Sequence, residues 1–113
     1  MANKKVFVSL PMRGRSNEEI KQKMLEMHSY VKDEYDLIST LLDTDDSKKN
    51  NLWYLGRSIQ LLGEADLVIF TQGWMDAPGC VVEMTACSQY SIPYTFERFV
   101  KKYGMDFTKY VNV

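Results

Sequence analysis

Long apolar runs are missing from this chain. No stretch comes near the roughly 20 consecutive apolar residues that a membrane-spanning helix needs. The opening segment MANKKVFVSLP carries lysines, but its apolar run is too short for a signal peptide. Cysteine is scarce, with only Cys80 and Cys87 present, which excludes a disulfide scaffold. On one helix these two would stand roughly 10 Å apart along the axis, too far to bridge. Reduced thiols and a cytoplasmic setting are the expectation. Histidine occurs once, at His28, and no ligand pair has zinc spacing, so neither metal nor cofactor is expected. Charge of one sign is lacking too. Fourteen basic against 15 acidic residues leave a net charge of −1, with no basic field to attract duplex DNA or an anionic membrane.

What is present is ordinary globular material, 45% apolar and 26% charged over 113 residues. That length suits a single domain, residues 1–113, able to bury about two-thirds of its unfolded surface. KVFVSL (Lys5–Leu10) has the β-branched character of a buried strand. After PMRGR, the run Ser16-Asn17-Glu18-Glu19 is a capping-box pattern. Behind it Ile20, Met24, Met27 and Val31 recur at helical spacing, leaving His28 as a partly exposed helical residue. DLIST (Asp36–Thr40) predicts a second strand, and Asp43–Asn51 a polar loop. Leu52, Leu55, Ile59 and Leu62 share one helix face that Gly63 terminates. Ala65–Phe70 is the most strand-like run, CVVEMTACSQY predicts a helix and Ile92–Phe96 a last strand. The tail from Glu97 is partly helical. Strands alternating with helices predict an α/β Rossmann or flavodoxin-like domain. Its mostly parallel sheet of four to five strands takes the order 2-1-3-4, with helices on both faces.

In such a sheet the ligand crevice lies beyond the carboxyl ends of strands 1 and 3, where the winding reverses. The loops leaving those strands, LPMRGRS and TQGWMDAPG, are also the two richest in Gly, Pro and unusual side chains. In the first, Gly14 permits close backbone approach, Arg13 offers a planar donor pair and Ser16 opens a helix whose N–H groups favour an anion. A plain strand-to-helix turn with a solvated arginine fits the same residues. In the second, Glu83 falls in the first turn of a helix starting near Gly79 or Cys80, where the dipole favours its ionised form. An ionised glutamate facing a crevice suits attack on a sugar carbon; complementing the dipole from the surface is the competing role. Trp74 would stack a base, close the pocket or serve the core. Asp76 caps the helix or meets ligand, and Asp66 pins nearby N–H groups. Met84 and Cys87 read as core filler.

The segments VFVSLPMRG, LWYLGRSIQLLGEADLVIF and GWMDAPGCVVEMTAC together resemble the small bacterial and phage branch of the nucleoside 2-deoxyribosyltransferase-like superfamily. The likeness runs over nearly all of Lys5–Pro93. It implies a Rossmann-like, usually oligomeric protein acting on the bond between sugar and nucleobase, as a transferase or a nucleoside 5'-monophosphate N-glycosidase. Glu83 would be the nucleophile. Pro11, Met12, Arg13 and Gly14 would contact the 5'-phosphate and sugar, and Asp66 matches the aspartate that opens strand 3. Ser9, Ser16, Gly73, Trp74, Asp76 and Gly79 complete the substrate-binding candidates. Three positions depart from the family pattern: Ser58 replaces the aspartate that helps the base depart, Phe7 a strand-1 tyrosine, and Ala77 a polar residue before the loop glycine. A catalytically weak or inactive nucleotide-binding protein is therefore the alternative. The tail aromatics Phe96, Phe99, Tyr103, Phe107 and Tyr110 offer a subunit interface.

Overall fold

A computed structural model of the chain describes residues 3–39 and 50–112. Four strands, β1 (Lys4–Ser9), β2 (Tyr35–Leu37), β3 (Leu67–Phe70) and β4 (Tyr94–Phe96), form one sheet in the order β2-β1-β3-β4. Every strand pair is parallel. The order agrees with the sequence expectation. The polar loop expected over Asp43–Asn51 lies, up to position 49, outside the described residues, as does Thr40 at the end of the second expected strand.

Two layers of helices cover the sheet. On one face α1 (Asn17–Ser29) and α4 (Glu97–Tyr103) enclose Val6, Val8, Ile20, Met24, Met27, Leu67, Ile69 and Val100. On the other, α2 (Asn51–Leu62) and α3 (Pro78–Tyr90) cover Phe7, Leu62, Val68, Phe70 and Cys87. Alternate residues of β1 and β3 therefore feed opposite cores, the period-2 rule for a sheet buried on both faces. Among the described residues no helix is long and apolar enough to cross a membrane.

Helix ends follow local chemistry. Ser16 and Glu19 form the reciprocal capping box expected for α1. Asn50 caps α2 by accepting from the Trp53 N–H. Gly63 does close α2, but in ordinary right-handed conformation (φ −63°), so it is not the left-handed cap that glycine usually supplies. That conformation falls instead on Ser91, which ends α3 at φ +56°.

The tail is spent on this molecule's own core. After α4 a 3-10 segment, Gly104–Tyr110, buries Phe107 completely against the α1 face. Tyr94 and Asn112 then exchange backbone hydrogen bonds, adding an antiparallel bridge at the β4 edge. Phe99, Tyr103 and Tyr110 stack on one another at centroid separations of 4.4 to 6.4 Å. Of the aromatics expected at a subunit interface, Phe107 is core, Phe96, Phe99 and Tyr103 are half-buried and Tyr110 is exposed.

Candidate functional site

At the carboxyl end of the sheet, β1 delivers Ser9 opposite Phe70 of β3. Thr71 follows β3 and locks the two strand ends, its N–H donating to the Ser9 carbonyl at 3.0 Å and its hydroxyl to the same oxygen at 3.3 Å. Ser9 and Phe7 share a sheet face because they are two residues apart, so the Ser9 hydroxyl points toward α3. There it donates to Glu83 Oε1 at 2.8 Å, with both residues buried. The first question the sequence raised, whether residue 83 turns outward, has a clear answer. It turns in.

The position of Glu83 differs from expectation. Helix α3 begins at Pro78, an N1 proline that supplies its fixed φ and has no N–H to lose. Glu83 thus lies in the second turn, not the first, beyond the reach at which dipole stabilisation is strong. It shares the inward stripe with Cys80 and Cys87, three residues before and four after. Burial dominates its chemistry: desolvation pushes the carboxyl up to about 7, and the Ser9 hydroxyl pulls it only partly back. The expectation of a dipole-stabilised, ionised group is therefore corrected: burial works against the charged form of Glu83.

Both cysteines are buried free thiols. Burial raises Cys87 to about 12, with the Glu83 charge adding to it. Cys80 rises to about 11 for the same first reason, opposed by Ser9 and by the Arg15 guanidinium. A serine has one proton to donate. With that proton on Glu83, Cys80 stays a protonated thiol beside the pair, not a nucleophile.

The two loops meet here. Gly73 takes φ +89°, a conformation that favours glycine. A Cβ built on it would lie 3.6 Å from Pro11 Cγ, so the loops run in van der Waals contact. Gly79 abuts Leu55 of α2 in the same way at 3.8 Å. Met12, Arg13 and Gly14 are exposed on the first loop, with Gly14 at φ +80°. Trp74 is half-buried, its ring 5.5 Å from Phe70 and 5.9 Å from Phe96, so it is a wall tied into an aromatic cluster. Asp76 sits exposed in a single 3-10 turn, Trp74–Asp76, and the cap position of α3 falls to Ala77, which makes no side-chain bond.

Asp66 is not brought to this cluster. It precedes β3 and accepts the Lys5 N–H at 2.7 Å, at the amino end of the sheet. Pinning an N–H was the structural role expected of it. Ser16 is adjacent to the crevice loop, but its hydroxyl already accepts the Glu19 N–H.

Three participants escaped sequence reasoning. Arg15, not Arg13, is the guanidinium that acts on the Cys80 end of the site. Thr71 fixes the strand ends. Glu97, the first residue of α4, is buried and accepts from Lys101 Nζ at 2.6 Å, Lys23 Nζ at 2.7 Å and the Gln72 N–H at 2.9 Å. It thereby anchors the loop after β3 from the opposite sheet face. The signal for it was present as Glu97 and Lys101 at i,i+4 spacing directly after a strand. No metal-ligand cluster occurs among the described residues. Comparison of the chain with protein-family models, curated proteins and solved structures finds no match.

Proposed function

We propose that the protein cleaves or exchanges the N-glycosidic bond of a nucleoside or nucleotide, as the resemblance to nucleoside 2-deoxyribosyltransferases implies. One observation carries the reading: a buried glutamate at the switch point of a parallel sheet, held by the hydroxyl of a serine that lies 74 positions away in the chain. In this reading Glu83, once ionised, attacks C1' of the sugar as the glycosidic bond breaks, and the departing base takes its proton from solvent water. Water or a second base then displaces Glu83. Ser9 holds the carboxylate in line, the Pro11–Gly73 contact closes the floor and Trp74 flanks the base. Since attack needs the ionised carboxylate, base release rises with pH and levels off above about 7, the midpoint of Glu83.

The test is chromatographic detection of free base from a panel of nucleosides and 5'-monophosphates, with wild type and Glu83→Gln side by side. Release by wild type with loss of at least about 10³-fold in the variant supports the reading. Release that is absent, or indifferent to Glu83, ends it.

A second reading, ligand binding without cleavage, is favoured by the lack of an acid partner. Among the described residues no second carboxylate is hydrogen-bonded to the Ser9–Glu83 pair, and the position expected to hold an aspartate is Ser58, half-buried on α2. General acid help is typically worth about 10²–10⁴-fold. Intact nucleoside recovered from a thermally stabilised complex would favour this alternative.

Self-association belongs to the proposal as well. Helices α2 and α3 carry one charge each, Arg57 and the buried Glu83, while Leu52, Val81 and Val82 are exposed. Charge depletion with exposed aliphatics is the composition of an interface core. Sedimentation velocity distinguishes a dimer from the monomer. Two buried free thiols fit a reducing, cytoplasmic location.

A further inference from the structure

We infer that Glu97 is a positioning residue for the crevice: its carboxylate supplies the sheet rung that β4 is too short to provide, and so fixes the peptides that hold both Ser9 and the Trp74 wall. For the reaction it serves, the inference rests on the reading above; the placement of the loop is independent of that reading.

The register of the sheet leads to this residue. The Val68 N–H donates to the Pro93 carbonyl at 2.9 Å, and Phe70 pairs with Phe96. Rungs of a parallel ladder recur at every second residue, so two rungs further on the Gln72 N–H falls opposite residue 97. There β4 has ended and α4 has begun, and the first carbonyls of a helix are committed to N–H groups four residues on. The Gln72 N–H would lack a backbone acceptor at the sheet's end. Buried Glu97 provides one from its side chain, Oε1 accepting at 2.9 Å.

The adjoining peptide faces the other way. Successive N–H groups of an extended chain point to opposite edges, and the Thr71 N–H reaches the Ser9 carbonyl at 3.0 Å. Ser9 in turn donates to Glu83 at 2.8 Å. A chain of bonded groups therefore crosses the sheet from Glu97 through residues 72, 71 and 9 to Glu83. The Trp74 N–H donates to the Thr71 carbonyl at 3.2 Å, so the wall hangs on the same peptides. Glu97 Oε2 does separate work, taking Lys101 Nζ at 2.6 Å and Lys23 Nζ at 2.7 Å. One oxygen makes the rung and the other holds the lysines.

That division separates positioning from general stability. Glu97→Ala removes both functions, whereas Lys23→Ala combined with Lys101→Ala removes the ammonium groups and leaves Oε1 on the Gln72 N–H. Amide hydrogen exchange is followed by NMR at Thr71, Gln72 and Trp74, each relative to Val8 in the central strand. In Glu97→Ala these ratios should rise at least about tenfold; in the double-lysine variant they should stay within about twofold of wild type. Equal ratios in all three proteins, or equal loosening in both variants, overturns the inference. Should Glu97→Ala not fold, wild type still decides: the Gln72 amide, outside any strand, should exchange at least about 10²-fold more slowly than in an unfolded chain, and an unprotected amide overturns the inference. The second arm measures base release. A loosened wall and a slackened Ser9 should raise KM at least about fivefold and lower kcat in Glu97→Ala, with KM unchanged in the double-lysine variant. A fall in kcat alone, shared by both variants, is the result of losing folded protein and overturns the positioning role. Absence of base release by wild type refutes the proposed function alone, the exchange arm still deciding whether Glu97 holds the loop.

Discussion

Two glutamates are buried at the carboxyl end of this sheet, on opposite faces, and they differ in almost every chemical respect. Glu97 faces the α1–α4 layer with two ammonium groups and a backbone N–H on its oxygens. Burial alone would raise its carboxyl, but Lys101, Lys23 and Gln72 outweigh that and bring it down to about 2. Glu83 faces the α2–α3 layer with one hydroxyl donor and no cation bonded to it, and burial pushes it up to about 7. Their exposures are the same, 6% each. The lesson is that burial does not set a carboxylate's role; its partners do. Glu97 is a permanently charged strut that is saturated with donors. Glu83 is left short of donors, and a group held at the edge of ionisation is suited to exchanging a proton or attacking a carbon.

The comparison can be broken most forcefully at Glu97. Replacing it with alanine leaves Lys23 and Lys101 with Glu26 as their remaining anionic partner and frees the Gln72 loop, so a loss of about 3 kcal/mol is expected by urea denaturation. The lysines are partly solvated, with side chains 22% and 40% exposed, which keeps the figure from being larger. The same variant should lose the acid limb of stability. A lowered carboxyl stabilises the fold above pH 4.5 and loses that contribution as pH falls toward 2.

Glu83 runs the other way. A raised carboxyl costs nothing while both states are protonated, below pH 4.5, and costs progressively more until pH passes about 7. Glu83→Gln should therefore match wild type at pH 4 and exceed it at pH 8 by up to about 3 kcal/mol. Equal stability at both pH values would remove the distinction between the two glutamates. Ser9→Ala is milder: it should cost about 1 kcal/mol near pH 8 and move the pH midpoint of base release upward. Lys101→Ala is expected to cost least, about 0.5 kcal/mol, because its partner keeps Lys23 and Gln72. A larger loss than that of Lys23→Ala would mean the strut is misassigned.

Much of this was legible in the chain. The alternation of apolar strands with amphipathic helices predicted the 2-1-3-4 sheet, and that order alone placed the loops after Ser9 and Phe70 together. Ser16-Asn17-Glu18-Glu19 announced its capping box, and both of its hydrogen bonds are formed. Glu83 was singled out as a carboxylate at the start of the helix that follows the second crevice loop. Its place in the second turn was not legible, since that depends on whether Pro78 or Cys80 starts the helix, and periodicity does not resolve an end to within two residues. Glu97 and Thr71 were missed because their partners lie on other elements; nothing in a local window says that Lys23 and Gln72 converge on one carboxylate. The tail misled for a related reason. Its aromatics were read as surface, yet Phe107 packs against β1 and α1 some 80 to 100 positions earlier in sequence.

The central claim is that Glu83 is buried, short of donors and poised to ionise near neutrality. Carbon NMR of the glutamate carboxyls across pH 3 to 9, with Glu83→Gln to assign the signal, measures this directly. A resonance titrating near 7 while another stays ionised down to about 2 is the predicted result. A Glu83 signal titrating at the ordinary 4.5 would contradict it.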